Sequence, residues 1–329
     1  MKLVVAGATG LVGRMMMKVL CERNFPVSEL IPVASEQSRG REIPFRNRFL
    51  RVMTAGEALD QGARLALFSA GSEASSIWAP RFAEKGTAVI DNSSAWRSFD
   101  HIPLVVPEVN ANILKAGDRI IANPNCSTIP LVIVLHALHQ IYGVQRVVVS
   151  TYQSVTGSGQ KGIRQLEAER RGQDAERVYP HRIDLNVIPQ GGYFTDNGYT
   201  SEEVKLINES RKILAMPDLK ITATVVRVPV YGGHSESVNI ALERPFRLEE
   251  IRDCLSATPG LTVVDDIVNQ EYPMPITVEG RDEVMVGRIR RDDSLPNGLN
   301  MWIAADNLRK GAATNAVQIA ESMLAGGLL

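Results

Sequence analysis

Residues 2–20, "KLVVAGATGLVGRMMMKVL", predict the fold of the N-terminal part of the chain. A short apolar run ends in a turn with glycines at 7, 10 and 13, and a helical segment follows. Small residues there let the backbone approach a pyrophosphate, and a helix start offers free N–H groups and the positive end of its dipole. The spacing departs from G-x-G-x-x-G and is a weak signal by itself. Its place between a strand and a helix favours a dinucleotide site over a merely tight turn.

Further segments continue the alternation of strand and helix: "LIPVAS" at 30–35, "ARLALFSAG" at 63–71, a helix near 73–85 and "TAVIDNSSAWR" at 87–97. The strand segments are apolar throughout, as parallel strands covered on both faces should be. This pattern predicts an α/β fold with a doubly wound sheet. Near the C-terminus, "DNLRKGAATNAVQIAESMLAG" predicts an amphipathic helix that starts near 311–315 and packs back on this first domain.

Length and composition limit the class of protein. A chain of 329 residues is too long for one comfortable core, so two domains are expected. The formal net charge of −1 gives no overall field that would attract nucleic acid or a membrane surface. The cysteines at 21, 126 and 254 do not suggest a disulfide framework, and no Cys/His cluster has metal-ligand spacing. With no secretory signal and no apolar run of about 20 residues, a cytoplasmic protein is expected.

The segment "NPNCST" at 123–128 raises the question of whether Cys126 is a buried structural residue or a nucleophile. Free cysteine is among the most buried residue types. If the following apolar helix begins at Ser127 or Thr128, however, its N–H groups and dipole stabilise a thiolate at Cys126. Pro130 is compatible with the first turn of that helix. A thiolate in a chain with a nicotinamide-binding domain suggests aldehyde oxidation through a thioester.

Two other segments carry polar side chains with more than one interpretation. "VVVSTYQSVTGSGQKG" (147–162) predicts a strand that ends at or near Gln153 in a glycine-rich turn. "TSEEVKLINESRKIL" (200–214) predicts a capped helix on which Glu202 and Lys205 share a face. Taken alone, both features are as easily explained by local backbone hydrogen bonds and a solvated ion pair.

A histidine follows a pair of glycines in "ATVVRVPVYGGHSESVNIALE" (223–243), where two β-rich runs flank a turn. Arg227 and His234 lie on either side of that turn. The two glycines, and the lack of apolar neighbours, predict an accessible His234. Histidine is well suited to acid–base work near neutral pH, although a lone histidine is more often structural.

Taken together, the motifs resemble those of the aspartate-semialdehyde dehydrogenase family almost end to end. The resemblance is carried by "GATGLVG", "NSSAWR" at 92–97, "NPNCST" at 123–128, "STYQSVTGSGQKG" at 150–162, "NVIPQGGYFTDNGYTSEEVK", "RVPVYGGHSESV" and "NLRKGAATNAVQIAE". Glycine motifs are generic, whereas the cysteine, glutamine and histidine motifs together are highly specific.

The resemblance implies a Rossmann-type, doubly wound dinucleotide-binding domain formed by residues 1–124 and 307–329. Residues 125–306 would form an α+β catalytic and dimerisation domain with a mostly antiparallel sheet. The "STYQ" and "TVVRVPV" strands are expected at its core. The partners implied are a small-molecule substrate, phosphate and a second copy of the chain in a homodimer.

The resemblance also implies roles for individual residues. Cys126 would be the acyl-forming nucleophile and His234 the general acid–base; Gln153 would orient the substrate, and Asn125 would help position the carbonyl oxygen. Arg97 and Lys205 would hold phosphate, because cationic donors suit a phosphoryl dianion; Arg227 would clamp the α-carboxylate as a planar fork, and Glu202 would take the α-amino group. The implied cofactor contacts are Gly7, Thr9, Gly10, Leu11, Val12, Gly13, Thr156, Gly157 and Asn315.

The implied reaction is the NADPH-dependent reductive dephosphorylation of L-4-aspartyl phosphate to L-aspartate 4-semialdehyde, within lysine, threonine and methionine biosynthesis. One alternative is N-acetyl-γ-glutamyl-phosphate reductase, which is disfavoured by "NSSAWR", by "TYQSVTGSG" and by Glu202, because an N-acetyl substrate presents no ammonium. Glyceraldehyde-3-phosphate dehydrogenase shares the thioester chemistry but has a different nucleophile motif. A non-catalytic paralogue acting as a binding protein is disfavoured because the nucleophile, the acid–base group and the clamps are all present.

One segment departs from the family. After the second strand many members have S-x-R-S-A-G, whereas this chain has "SEQSRG" at 35–40, with Gln37 at the arginine position and Glu36 beside it. An acidic residue there usually bonds the ribose 2′-OH of NAD. Ser35, Ser38 and Arg39 could instead receive the 2′-phosphate of NADP. We favour NADP, with NAD as the alternative.

Overall fold

The computed structural model describes all 329 residues and divides into two compact units. The first unit comprises Met1–Asn125 and Ala312–Leu329, and the second comprises Cys126–Gly311. The C-terminal segment therefore belongs to the same unit as the N-terminus. No helix is long and apolar enough to cross a membrane.

The first unit is built mainly from alternating strands and helices. Its elements are β1 (Lys2–Ala6), α1 (Leu11–Glu22), β2 (Glu29–Val33), β3 (Glu42–Phe45), β4 (Arg48–Arg51), α2 (Ala55–Leu59), β5 (Leu65–Phe68), α3 (Ser72–Glu84), β6 (Ala88–Asp91), α4 (Pro107–Asn110), β7 (Ile120–Ala122) and, at the end of the chain, α10 (Thr314–Ala325). The predicted strands, the α3 helix and the C-terminal helix are confirmed. The β3–β4 hairpin was not predicted.

The sheet of the first unit has the strand order β2-β1-β5-β6-β7, and all its pairs are parallel. The chain leaves β1 towards β2 on one side and returns to β5 on the other, so the strand order reverses at β1. Ligands of doubly wound sheets bind at such a reversal, beyond the carboxyl ends of the strands. The fold therefore directs a ligand to the turns after β1, β2 and β5.

The core of the first unit confirms the prediction of strands covered on both faces. Every residue of β5 and β6 is buried. Met16 and Met17 of α1 are buried in one apolar cluster with Leu65 and Leu67 of β5. The methionines of α1 are therefore part of the core rather than a ligand contact. Val317 and Met323 of α10 join that cluster, as predicted for a helix that packs back on this domain.

The second unit carries the remaining elements around a six-stranded sheet. They are α5 (Thr128–Tyr142), β8 (Val144–Gln153), α6 (Gly159–Arg170), α7 (Ser201–Ile213), β9 (Lys220–Arg227), β10 (His234–Leu242), α8 (Leu248–Ser256), β11 (Leu261–Val263), α9 (Pro275–Val278), β12 (Val284–Asp292) and β13 (Gly298–Ala305). A π-helical turn over Arg309–Ala313 precedes α10.

The sheet of the second unit has the order β11-β12-β13-β10-β8-β9. The pairs β12/β13, β13/β10 and β10/β8 are antiparallel, and β11/β12 and β8/β9 are parallel. The strand containing "STYQ" lies inside the sheet, as expected. The strand predicted from "TVVRVPV" is at the edge of the sheet. It ends at Arg227, two residues before Pro229, which has no N–H to donate to a neighbouring strand.

The strand directions bring three predicted site residues to one edge of this sheet. Gln153 is the last residue of β8 and Arg227 the last residue of the parallel strand β9, and the two are register partners. His234 is the first residue of β10, which runs antiparallel to β8. The end of β8, the end of β9 and the start of β10 therefore lie together.

Candidate active site

Cys126 lies immediately before helix α5, which begins at Thr128 with Ser127 as its N-cap residue. This confirms the predicted start, and Pro130 falls in the first turn. Most of α5 is buried and apolar, so the helix is held by the core and its N-terminus is fixed in place. The first-turn N–H groups and the helix dipole stabilise a thiolate at this position.

The surroundings of Cys126 are closely packed. Gln153 is 1% exposed, and its Nε2 donates to Ser127 Oγ at 3.0 Å, which places the amide beside the cysteine turn. A Cβ atom added to Gly311 would lie 3.0 Å from Cys126 Cβ, so only glycine fits there without displacing the cysteine. Asn125, the residue before the cysteine, is buried.

His234 is buried, with 2% exposure, so the predicted accessible histidine is wrong. The reason lies in the glycines that suggested exposure. Gly233 has a φ of +75°, and a Cβ atom there would lie 2.7 Å from the carbonyl oxygen of Pro275. The lack of side chains lets the α9 segment close over the turn, and this covers the histidine.

The hydrogen bonds of His234 define which of its nitrogens carries the proton. The backbone N–H of Ser154 donates to Nδ1 at 3.1 Å, and Nε2 has no partner within the protein. Burial, and then the positive charge of Arg227, lower the pKa of His234 to about 3. A neutral imidazole that accepts at Nδ1 carries its hydrogen on Nε2. His234 therefore presents an unused N–H donor.

Arg227 lies against His234 and is itself buried, with 7% exposure. Its Nη1 donates to the carbonyl oxygen of Ser154 at 2.9 Å, and its Nε has no partner within the protein. A Cβ atom added to Gly157 would lie 2.6 Å from Arg227 Nη1 and 3.3 Å from His234 Nε2. We call these four residues, Ser154, Gly157, Arg227 and His234, the histidine pocket.

Glu202 and Lys205 are on one face of α7, as predicted, and form an ion pair at 3.0 Å. The neighbouring Glu203 instead bonds to backbone groups. Its carboxylate accepts from the backbone N–H groups of Thr200 and Val225, which caps α7 and ties it to β9. Of the two adjacent glutamates, Glu203 thus holds the backbone at the start of α7 and at β9, whereas Glu202 pairs with Lys205.

A short segment links Arg227 to Glu202. Ile188 and Arg227 exchange backbone hydrogen bonds of 2.9 and 2.8 Å, and the carbonyl oxygen of Gly191 accepts from the N–H of Glu202 at 3.1 Å. A Cβ atom on Gly191 would lie 2.8 Å from Glu202 Cβ. The segment 188–191 thus links the backbone at the end of β9 to the backbone at the start of α7.

A cavity of about 400 Å³ lies in the first unit at the predicted reversal of strand order. Its lining comprises Ala6, Gly7, Thr9, Gly10, Val33, Ala34, Ser35, Glu36, Thr54, Ala55, Phe68, Ser69, Ala70, Ala74 and Trp78. We call it the cofactor cavity. Gly10 is the N-cap residue of α1, so the free N–H groups of that helix start at the cavity.

Two of the three glycines in the first turn are required by packing. Gly7 has a φ of +83°, and a Cβ atom there would lie 2.2 Å from the carbonyl oxygen of Ser69. A Cβ atom on Gly13 would lie 2.2 Å from the carbonyl oxygen of Gly7. Both positions bring backbone segments together where any side chain would collide, as in a pyrophosphate-binding turn.

The other predicted cofactor residues are not all at this cavity. Ser35 is on the lining, whereas Leu11, Val12 and Gly13 are not. Gln37 is exposed, Ser38 is buried, and Arg39 is ion-paired with Glu57. Thr156 and Gly157 belong to the second unit. The Nδ2 of Asn315 donates to the carbonyl oxygen of Val105 at 2.9 Å and to Asn123 Oδ1 at 2.7 Å, so these amide hydrogens are used internally.

Arg97 belongs to the first unit, in the turn after β6. Its Nη2 donates to the carbonyl oxygen of Asn92 at 2.8 Å, which folds the side chain back over the turn. Asp91 precedes the turn and accepts from Ser93. Burial raises the pKa of Asp91 above its usual range even though those hydrogen bonds oppose the shift.

Sequence reasoning missed several residues around the histidine and the cysteine. Ser154, Asn307 and Gly311 contact site residues, and their motifs, "TYQSVTGSG" and "NLRKGAATNA", were noted without a role for these positions. Local sequence could not reveal them, because Ser154 and Asn307 are 153 residues apart in the chain. No group of three or more His, Cys, Asp or Glu side chains could hold a metal ion.

Comparison with known proteins agrees with this geometry. Residues 2–116 match the family described as semialdehyde dehydrogenase, NAD binding domain, and residues 135–310 match the semialdehyde dehydrogenase, dimerisation domain. The chain is 49% identical to an aspartate-semialdehyde dehydrogenase of Aquifex aeolicus over 337 residues, covering 100% of this chain and 99% of that protein.

Solved structures give the same result. The crystal structure of aspartate semialdehyde dehydrogenase II complexed with ASA from Vibrio cholerae aligns with a TM-score of 0.94 at 43% identity, covering 98% of each chain. An aspartate semialdehyde dehydrogenase from Candida albicans, solved with NADP, aligns with a TM-score of 0.77 at 25% identity, covering 100% of this chain and 99% of that chain. The chain therefore belongs to the aspartate-semialdehyde dehydrogenase family of oxidoreductases, whose cofactor is a nicotinamide dinucleotide.

Proposed function

We propose that this chain catalyses the reductive dephosphorylation of L-4-aspartyl phosphate to L-aspartate 4-semialdehyde through a thioester on Cys126. The observation that carries the proposal is the arrangement in the second unit. A cysteine precedes a buried helix, an amide is bonded to that helix's N-cap residue, and a histidine with an unused N–H donor lies at the same sheet edge as the amide.

Formation of the thioester uses the cysteine and the anion-binding groups. The Cys126 thiolate attacks the acyl carbon, the S–C bond forms, and the bond from that carbon to the phosphate oxygen breaks. The departing phosphate takes up one proton from solvent and leaves as hydrogen phosphate. Arg97 and Lys205 are the cations that we assign to the phosphate, because charged N–H donors bind phosphoryl oxygens strongly.

Reduction of the thioester uses the histidine. A bound nicotinamide dinucleotide supplies the hydride. The acyl carbon accepts it and becomes a tetrahedral alkoxide, which His234 stabilises by donating a hydrogen bond from Nε2. Collapse of the alkoxide breaks the C–S bond, releases the aldehyde and restores the thiolate. Gln153 and Asn125 are assigned to orienting the acyl group throughout.

Recognition of the substrate is assigned to Arg227 and Glu202. Arg227 has an unpartnered Nε on a guanidinium whose Nη1 is already fixed, so it can meet a carboxylate in one orientation. Glu202 is a carboxylate suited to a free ammonium. An N-acetylated substrate has no ammonium to offer, which argues against the acyl-glutamyl alternative. We expect turnover of the N-acetylated substrate to be at least about 10-fold lower than turnover of aspartate semialdehyde.

We propose NADP as the preferred cofactor, with the pyrophosphate held at Gly7, Thr9 and Gly10. Ser35 on the cavity lining, and Arg39 four residues later in the chain, are the groups that would meet a 2′-phosphate. Glu36 on the same lining is a carboxylate suited to the 2′-OH of NAD, so the two cofactors are the alternatives to compare. Equal or higher kcat/KM with NAD than with NADP would overturn this preference.

We also propose a homodimer formed by the second unit. Tyr152 and Trp302 stack at 5.2 Å on one face of its sheet and are only half-buried. A half-covered aromatic face on a six-stranded sheet suits a second copy of the chain. The mass in solution at micromolar concentration tests this, and a monomeric mass would contradict it.

The proposed reaction is tested in the reverse direction with purified protein. Wild type and Cys126→Ala are assayed with L-aspartate β-semialdehyde, phosphate and NADP, and in parallel with NAD. We expect activity that requires phosphate and that falls by a factor on the order of 10⁴ in the variant. Activity that survived the substitution would remove Cys126 as the nucleophile. Absence of wild-type activity with both cofactors would contradict the substrate assignment.

A further inference from the structure

An aromatic ring lies against Arg227, the residue assigned above to the substrate carboxylate. The Cζ atom of Arg227 is over the ring of Tyr179, 5.8 Å from the ring centroid. Tyr179 is 6% exposed and Arg227 is 7% exposed, so both groups are shielded from water. A guanidinium within about 6 Å of a ring centroid is attracted by the negative face of the ring, and the attraction is stronger where both groups are desolvated. The contact therefore favours one orientation of the guanidinium.

The ring completes the contacts that hold this guanidinium in place. Arg227 Nη1 donates to the carbonyl oxygen of Ser154 at 2.9 Å, and a Cβ atom on Gly157 would lie 2.6 Å from the same Nη1. One hydrogen bond by itself leaves a guanidinium able to rotate about that bond. The ring of Tyr179 restricts this rotation. The N–H at Nε, which has no partner within the protein, is thereby kept in one direction.

Helix α6 sets the position of the ring. Gln165 is 1% exposed, and its Oε1 accepts from the backbone N–H of Tyr179 at 3.0 Å. Gln165 Nε2 donates to Glu169 Oε1 at 2.8 Å, and Glu169 Oε2 accepts from the backbone N–H of Ile183 at 2.8 Å. Two side chains on one face of α6 thus hold the backbone on both sides of the ring. The ring is placed before any ligand binds, which lowers the entropy cost of binding.

The hydroxyl group and the bulk of Tyr179 have contacts of their own. Its Oη donates to Ser158 Oγ at 2.9 Å, and Ser158 ends a 3-10 turn over Val155–Ser158. The rest of the side chain belongs to a buried apolar cluster of Val155, Leu166, Tyr179, Ile183 and Ile188. The face of the ring, its hydroxyl group and its volume therefore meet different partners and can be changed separately.

We propose that Tyr179 is a positioning residue for Arg227, whose ring face holds the guanidinium in the orientation that receives the α-carboxylate of the substrate. The inference rests on the proposed function in assigning that carboxylate to Arg227. The ring takes no part in bond making at Cys126, so its loss weakens binding in the ground state and the transition state alike. Such a loss raises KM and leaves kcat unchanged.

The test uses three replacements at position 179. Tyr179→Phe keeps the ring and removes the hydroxyl group, and Tyr179→Leu removes the ring. Pentafluorophenylalanine at the same position keeps the ring but reverses the charge distribution of its face. Phe246→Leu is the matched control, because the buried Phe246 ring has Arg291 over it at 4.3 Å in the same unit. Circular dichroism and thermal melting establish which variants are folded.

We expect Tyr179→Leu and the pentafluorophenylalanine variant to raise the KM for the semialdehyde about three- to thirtyfold. In both, kcat and the KM values for phosphate and NADP should stay within about twofold of wild type. Tyr179→Phe should keep the KM for the semialdehyde within about twofold, and Phe246→Leu should lower the melting temperature alone. If Tyr179→Leu does not fold, the two ring variants decide the matter, since they differ in charge distribution rather than in framework.

Two kinetic results would overturn the proposal. One is an equal rise in the KM for the semialdehyde in Tyr179→Phe and in the pentafluorophenylalanine variant, because the ring face would then contribute nothing. The other is a fall in kcat together with a rise in all three KM values, which is the pattern of a purely structural residue.

A second readout separates this inference from the proposed reaction. The ¹H–¹⁵N signal of Arg227 Nε, assigned with Arg227→Lys, reports the ring over the guanidinium without any substrate. We expect the signal to move in Tyr179→Leu, because the ring current is lost, and to stay in place in Tyr179→Phe. That result in a protein inactive on aspartate semialdehyde would support the contact and contradict the proposed function. An Nε signal unchanged in Tyr179→Leu would overturn the inference even in an active enzyme.

Discussion

The cofactor cavity is formed mainly by backbone groups, whereas the histidine pocket depends on buried side chains. The cofactor cavity is largely backbone: strand ends, glycine turns and the start of α1. The histidine pocket depends on buried side chains, since His234 Nδ1 and Arg227 Nη1 both bond to the backbone of Ser154 and so hold each other's surroundings in place. A backbone site tolerates changes at its rim, because the backbone N–H groups that bind a ligand do not depend on the side chains there. A site made of buried, mutually bonded side chains has little such tolerance, because each member positions another.

Among the changes that compare these two regions, the largest expected effect is that of a methyl group in the histidine pocket. The Cβ of Gly157→Ala would lie 2.6 Å from Arg227 Nη1 and 3.3 Å from His234 Nε2. Gly157 does not have a positive φ, so the backbone is not strained and the cost falls on the site. We expect kcat/KM for the semialdehyde to fall about a hundredfold, because small displacements of reacting groups cost that much. Steady-state kinetics beside a thermal melt measures both effects.

Gly13→Ala is the matched change in the other region. Its Cβ would lie 2.2 Å from the carbonyl oxygen of Gly7, a backbone atom that cannot rotate away. We expect a loss of folding stability of about 1–3 kcal/mol, together with a higher KM for the cofactor. The KM for the semialdehyde should stay near the wild-type value. If Gly157→Ala lost stability and Gly13→Ala did not, the contrast between the two regions would be wrong.

The same contrast explains what could be predicted from the sequence. The order of strands and helices in the first unit followed from short, fully apolar runs and glycine turns, which are local signals. The place of Cys126 before α5 also followed from a local signal. The burial of His234 was not, because it depends on Pro275 in α9 packing against Gly233, some 40 residues away in the chain. The hydrogen bond from Ser154 to Asn307 is equally invisible locally.

Adjacent residues illustrate the same limit. Glu202 and Glu203 are adjacent, yet Glu203 caps α7 and also accepts from Val225 N–H, a contact with β9 that the sequence did not indicate, whereas Glu202 pairs with Lys205. Adjacent side chains on a helix point about 100° apart, so the two glutamates face different neighbours. In the same way, the sequence predicts Arg39 as a phosphate ligand, whereas in the structure it forms an ion pair with Glu57.

A smaller effect is expected at a buried carboxyl group close to His234 in the chain. Glu236 is 1% exposed, and burial raises its pKa well above the usual range, so the folded protein keeps its proton when the unfolded chain has lost it. Folding stability should therefore fall as pH rises above the unfolded pKa of about 4.3. Glu236→Gln removes this term. Its stability relative to wild type should rise with pH above about 5, by up to about 1 kcal/mol for each pH unit below the raised pKa of the folded state.

Urea unfolding of both proteins at several pH values measures this difference. Asp265→Asn is a useful comparison, since Asp265 is a nearly buried carboxylate of the same unit that is paired with Arg252. A pH-independent difference between Glu236→Gln and wild type would mean that Glu236 titrates normally. It would also mean that the interior of the second unit is better solvated than its burial indicates.

The smallest expected effect concerns the exposed ion pair that holds Arg39, whose partner Glu57 follows the cavity-lining residues Thr54 and Ala55 in the chain. Glu57 pairs with Arg39 and also caps α2, since its carboxylate accepts from Thr54 N–H at 2.9 Å. The backbone hydrogen bond from Thr54, and then Arg39, lower the pKa of Glu57, so it is charged at neutral pH. Glu57→Gln keeps an oxygen for the cap and removes the charge. Arg39 is then released towards a 2′-phosphate.

We expect the KM for NADP to fall about two- to fivefold in Glu57→Gln and the KM for NAD to be unchanged, because exposed ion pairs are weak. Asp60→Asn is the control, since it breaks the exposed pair with Lys85 in the same unit without touching Arg39. Equal changes for both cofactors would show that Glu57 acts through α2 rather than through Arg39. A hundredfold change in the KM for NADP would contradict the contrast between the two regions. This part of the first unit would then be as intolerant of substitution as the histidine pocket.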